Sequence, residues 1–198
     1  MSATAAKLGI TVDKTQFSDD LVADMVPGDT RDLAYTIKKE AGSKDAVVFS
    51  EVTLTSSIPM SDPVEWFIQM TGKPLTPEEI KKLQDEAGSV AGGGTVNDIP
   101  LAELSKADTL KFLSLSKDSK VAKFIVGHGV LSGQENGIPV NLTLRLSPSA
   151  DNSFAGGTCD VGAEIYAIQK ENLEQDGAAT NFAYIQGLIV ANESKKAS

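Results

Sequence analysis

Few residues in this chain could do chemistry. His128 is the one histidine among 198 residues, so a Ser/His/Asp arrangement has a single possible base. It stands between Gly127 and Gly129 in a run that reads as a strand, and no serine or cysteine is spaced to suggest its nucleophile. His128 therefore reads as a strand residue. A zinc peptidase helix needs two histidines one turn apart and a carboxylate, and one His with one Cys cannot supply those ligands. Cys159 is alone, which removes intrachain disulfides and CxxC redox pairs. It alternates in phase with Val161, Ala163, Ile165 and Ala167, the pattern of a buried structural thiol. The carboxylates Asp19, Asp20, Asp24, Asp29 and Asp32 could gather a hard cation such as Ca²⁺. They lack EF-hand spacing and read as a solvated acidic edge. Gly92 to Gly94 lacks the Lys and Ser/Thr of a phosphate loop and reads as a linker. The expectation is a chain that is not an enzyme and takes no cofactor or resident metal.

Composition sets the frame for these residues. A chain of 198 residues with 41% hydrophobic content suits one well-cored domain with a small insertion. A net charge of -9 opposes phosphate backbones and anionic lipid surfaces, so neither nucleic acid nor a membrane surface is an expected partner. No apolar run approaches the ~18 to 20 residues of a membrane span. The residues after Met1 carry no charged, apolar, small-residue leader, which decides nothing about compartment because an expressed mature chain also starts with Met.

Strands must position most of the side chains. Leu8, Ile10 and Val12 alternate with polar neighbours, and a Pro27-Gly28 turn leads to a second alternation at Leu33, Tyr35 and Ile37. Val47 to Thr55, Ala122 to Leu131, Ile138 to Leu146 and Thr158 to Gln169 follow as strands, the last expected to be central in its sheet. Short strands between Gly, Pro, Asn and Asp turns predict a mainly β fold, an antiparallel β-sandwich. A helical insertion is expected at about 61–115. Asp62-Pro63-Glu65 and Thr76-Pro77-Glu79 read as capping-box starts, with Trp66 in the first helix among Val64, Phe67 and Met70. Ile80 and Leu83 form the inward stripe of the second helix, Gly88 to Thr95 is a flexible connector, and a third helical piece runs from Leu101 to about Leu115.

After the domain of residues 1–175 comes the most informative stretch, Thr180 to Ala191. Alternation puts Phe182, Tyr184, Leu188 and Val190 on one face and Ala183, Ile185, Ile189 and Ala191 on the other. A strand apolar on both faces needs a host sheet. It is either the last core strand of a monomer or a donor strand that fills a groove by β-strand addition, in its own subunit or a neighbour's.

Several segments together resemble the TasA/camelysin family of secreted bacterial surface proteins. They are Phe17 to Thr30 with its Pro-Gly-Asp turn, the strand Val48 to Leu54, Ile99 to Lys106, and Ser153 to Gln169. The resemblance covers roughly Ala3 to Gln169. It implies a jelly-roll-like sandwich flanked by helices, secreted to the cell surface or extracellular matrix and assembled into biofilm matrix fibres. In such fibres a segment ahead of the first strand completes the sheet of the next subunit, so the implied partner is the chain itself, with other matrix proteins possible. Camelysin is classed as a metallopeptidase, an activity that the ligand inventory here does not support. Ala178 to Tyr184 looks like the family's mature N-terminus, and reading Lys195 to Ser198 into Ala3 to Ala5 restores a donor-to-first-strand order. Residues 176–198 are thus read either as a donor strand relocated from the native N-terminus or as a natural C-terminal extension, with Phe182, Tyr184, Ile185, Leu188, Ile189 and Val190 as the donor side chains. A cell-surface adhesin or glycan-binding module stays open as another class; it would call for an exposed aromatic cluster.

Overall fold

The computed structural model describes residues 10–13, 26–39, 42, 44–60, 66–70, 75–96, 99–132, 137–150, 154 and 157–169. Eight strands and two helices occur among them: β1 (Ile10–Asp13), β2 (Thr30–Lys39), β3 (Ala46–Ser56), β4 (Trp66–Met70), α1 (Pro77–Val90), α2 (Leu101–Leu104), β5 (Thr109–Leu115), β6 (Val121–Leu131), β7 (Ile138–Leu146) and β8 (Cys159–Gln169). They build two four-stranded sheets, ordered β1-β2-β7-β4 and β5-β6-β3-β8, and every pairing is antiparallel. The chain is an antiparallel β-sandwich. Its inner layer follows from the period-two pattern. Leu33, Tyr35 and Ile37 on β2 and Val140, Leu142, Leu144 and Leu146 on β7 meet Val48, Val52 and Leu54 on β3 and Ala122, Phe124 and Val126 on β6. Phe112 and Phe124 pack edge to face at 5.0 Å between ring centres.

The second sheet is covered on both faces. Outside it lies a smaller cluster in which Ile99, Leu101 and Leu104 rest on Phe49, Leu113, Ile125 and Tyr166. Burial on both sides is why β3 opens with the unbroken apolar run Ala46 to Phe49 instead of alternating. Gly127 makes the close approach possible, because a Cβ there would lie 2.8 Å from the carbonyl oxygens of both Leu104 and Lys106.

Helix α1 starts as the Thr76 pattern predicts. The Thr76 hydroxyl accepts from the Glu79 amide at 3.2 Å, the Glu79 carboxylate accepts from the Thr76 amide at 2.7 Å, and Pro77 opens the helix. Its inward side is Leu83, Ala87 and Val90, with Ile80 half-buried.

Other expectations for residues 61–115 are overturned. Trp66–Met70 is the strand β4, paired with β7 from Trp66↔Leu146 to Met70↔Leu142. A run with two aromatic residues and the β-branched Ile68, on the side of β7 that β2 does not occupy, gains more from ladder hydrogen bonds than the upstream capping signal offers to a short helix. The Asp62 start itself lies outside the described residues. The third helix is a single turn, α2. Asp108 takes a left-handed backbone (φ +63°), and Thr109–Leu115 then forms β5, so the insertion supplies an edge strand to each sheet. The connector is not loose either: α1 runs through Gly88 to Val90, Gly94 donates its amide to the Val90 carbonyl at 2.8 Å, and Thr95 bridges Ser114. Among the described strands β8 pairs with β3 alone and ends the order of its sheet.

Candidate functional site

Strand β6 carries a bulge where the sequence shows Gly-His-Gly. Val48 pairs with Gly129 and Phe49 with Gly127, leaving His128 as the extra residue, and Gly129 takes the positive φ of +85° that such a bulge requires. His128 continues the inward face of Ala122, Phe124 and Val126 and points into the sandwich. There Nε2 lies 2.6 Å from Ser50 Oγ and 3.4 Å from the Tyr35 hydroxyl, and the two hydroxyls are 2.9 Å apart. With Nε2 unprotonated, Tyr35 donates to Ser50 and Ser50 donates to the imidazole. Burial pushes the imidazole pKa down to about 4 and the Tyr35 hydroxyl up to about 12, the latter against a smaller pull from Ser50.

A serine 2.6 Å from a histidine resembles a nucleophile and its base. Access decides otherwise, because Ser50 is 0% exposed and His128 6% exposed, with Tyr35 buried over them. The trio is a hydrogen-bonded polar staple joining β2 of one sheet to β3 and β6 of the other. Spacing along the chain did not reveal Ser50 and Tyr35 as its partners. The available signal was a polar residue at a core-facing position in each of three strands.

The remaining candidates also resolve into structure. Cys159 is buried in the main core, and burial, with Asp160 beside it, pushes its thiol up to about 12, so it is an inert packing residue. Asp29 accepts from the Val26 amide at 3.1 Å within the Pro27-Gly28 turn, and Asp32 accepts from the Thr143 hydroxyl at 2.8 Å on the β2–β7 pair. Asp19, Asp20 and Asp24 lie outside the described residues, as do the donor-strand residues Phe182, Tyr184, Ile185, Leu188, Ile189 and Val190. Among the described residues, no three His, Cys, Asp or Glu side chains gather to hold a metal ion, and no helix is long and apolar enough to cross a membrane.

What the described chain does present is a contrast between two sheet edges. The outer edge of β5 is closed. Val96 donates to the Leu113 carbonyl at 2.7 Å, Leu115 donates to Gly94 at 3.4 Å, and the Phe112 amide donates to the Glu86 carboxylate of α1 at 3.0 Å. Lys111 bonds Glu86 at 3.4 Å and Glu103 at 3.0 Å, tying the helical segments to the strand. Burial alone would lower the Lys111 pKa, but the Glu103 hydrogen bond and the two carboxylate charges raise it instead.

The edge of β8 is different. Its eleven residues pair with β3 from Ser56↔Cys159 to Ala46↔Gln169 without a register shift. They include no Pro, Lys or Arg, and neither a bulge nor brevity blunts the strand, whose charges are the exposed Asp160 and Glu164 on its outward face. On its inward side Val161, Ala163 and Ile165 are only half-buried against the core, while their β3 neighbours Leu54, Val52 and Ser50 are fully buried. The apolar core thus ends at β8 in a lip of small and branched side chains. No family model matches the chain, and neither a curated protein nor a solved structure matches it.

Proposed function

We propose that this chain is a structural subunit of an extracellular biofilm matrix fibre of the TasA/camelysin kind, whose subunits join by donating a strand to a neighbour's sandwich. In this chain the donor-type segment Thr180 to Ala191 serves its own subunit, so that the chain is a self-complemented monomer. The observation that carries this reading is the long, bulge-free β8 at the end of its sheet among the described strands, with its half-buried inward side chains, in a chain that also holds a strand-length segment apolar on both faces. An open edge is a template for strand pairing, and such edges are ordinarily protected. Burying the large side chains Phe182, Tyr184, Leu188 and Val190, at about 1.5 to 3 kcal/mol each before ordering costs, is enough for a tight contact.

Light scattering and electron microscopy test the proposal. The intact chain should be monomeric at micromolar concentration. Removal of the residues after Gln175 should produce aggregation or filaments, suppressed by a synthetic peptide spanning Asn181 to Asn192. A truncated chain that stays monomeric, keeps its melting temperature and ignores the peptide would refute it.

A further inference from the structure

We infer that β8 is the edge that receives the Thr180–Ala191 segment, and that the segment lies antiparallel to it within the same chain. This rests on the donor-strand reading above and adds the place where the strand is received. Of the four sheet edges among the described strands, β5 is closed by backbone and Glu86 bonds, and β1 and β4 are described over four and five residues. The twelve residues of the segment match the eleven of β8.

Topology points to the same edge. The pairs β2–β7 and β3–β6 are nested, and with β7–β4 and β3–β8 they match neighbour pairs of a jelly roll. In that fold the last strand takes the first strand as its other neighbour, but here β1 pairs with β2, and the place beside β8 holds none of the described strands. The side-chain pattern agrees as well. A strand added beside β8 would extend the inner lip of Val161, Ala163 and Ile165 on one face and on the other lie next to Tyr166 and Ile168 of the outer cluster and the exposed Asp160 and Glu164. The inner face of such a strand is called on to be apolar, as Phe182, Tyr184, Leu188 and Val190 are. The ten residues 170–179 span up to about 33 Å when extended, ample to reverse direction and return along β8. A segment tethered this closely competes at an effective concentration of about a millimolar, so pairing within the chain outruns pairing between chains.

Gly162 offers a probe. It is exposed on β8, and a Cβ built there meets nothing within 4 Å. In the full chain, Cys159→Ser removes the one native thiol and Gly162→Cys accepts a benzophenone maleimide. Irradiation should give cross-links from position 162 into residues 180–191, in the monomer band. Cross-links into that segment only between chains, or cross-links only to other parts of the molecule, would overturn the inference.

Hydrogen exchange on an otherwise unaltered full chain gives an independent reading. The paired changes Leu188→Lys and Ile189→Lys put a charge on each face of the segment, and exchange of β8 amides should quicken about tenfold or more while β5 amides keep their protection. Faster exchange at β1 or β4 in place of β8 would overturn the edge assignment and leave strand donation standing. No response at any edge strand would remove both.

Discussion

His128 offers the sharpest quantitative test of the sandwich core. In the unfolded chain an imidazole titrates near 6.5, whereas in the folded protein burial between the sheets lowers its pKa to about 4. The charged form is disfavoured because Nε2 faces the neutral hydroxyls of Ser50 and Tyr35, with no carboxylate bonded to it among the described residues. Above about pH 6.5 the group is neutral in both states and has no effect on the pH dependence of stability. As pH falls the unfolded chain takes up the proton first, so stability is lost progressively from about 6.5 to about 4 and the loss levels off below that. A difference of about two and a half pKa units corresponds to about 3 kcal/mol, a large share of the 5–15 kcal/mol typical of a domain. Urea unfolding of the wild type and of His128→Leu between pH 7.5 and 4 measures it. The carboxylates common to both proteins cancel in the difference, and the wild type should lose about 3 kcal/mol more than the variant across that range. As the one histidine, His128 also gives a single imidazole resonance by NMR, whose midpoint should fall near 4. Parallel stability curves with a resonance titrating near 6.5 would refute the assignment of the side chain to the interior.

Other outcomes follow from the same contacts. Glu86→Ala should cost about 1–3 kcal/mol in urea unfolding by stranding the Phe112 amide, while Glu86→Gln, which keeps an acceptor, should lose less; equal losses would remove the edge-capping role. Gly127→Ala should cost about 1–3 kcal/mol, since its Cβ meets two backbone carbonyls at 2.8 Å that cannot swing aside; an unchanged melting curve would contradict the packing of α2. The purified protein should leave casein intact with or without added zinc, and cleavage that a chelator abolishes and zinc restores would count against a purely structural role.

Much of the sandwich was legible because its strands announce themselves locally. The alternations on β2 and β7, and the Gly, Pro and Asn turns that bound them, are properties of short windows, and so is the reciprocal cap of Thr76 and Glu79. The errors share a cause. Nearby capping and apolar signals favour helices at Trp66–Met70 and Thr109–Leu115, yet each is an edge strand whose conformation is set by the strand it pairs with, β7 in one case and β6 in the other. The trio of Tyr35, Ser50 and His128 escaped for a related reason, its members being 15 and 78 residues apart along the chain. One clue was nevertheless present: Ser50 sits in phase with the core residues Val48 and Val52, and Tyr35 in phase with Leu33 and Ile37. Polar atoms at core-facing positions must find one another or remain unpaired at a cost.

The rank of β8 within its sheet was the least accessible feature of all, because a strand's own residues do not state whether it has one neighbour or two. Val161, Ala163 and Ile165 would look the same in a central strand, and only their partial exposure beside fully buried Leu54, Val52 and Ser50 sets them at a margin. The opposite margin of the same sheet shows what protection looks like here: Glu86, Gly94 and Val96 all engage the backbone of β5. Among the described residues, a sheet that commits a helix and a bridging segment to one edge and ends at the other in eleven residues of unbroken register with a half-buried apolar lip is asymmetric. Under the proposed function that asymmetry would give strand addition a direction. A contact between one subunit's segment and another's β8 edge is heterologous, and it builds an open filament where the rotation between subunits does not close a ring. A segment folded back onto that edge within its own chain would terminate the assembly at a single subunit.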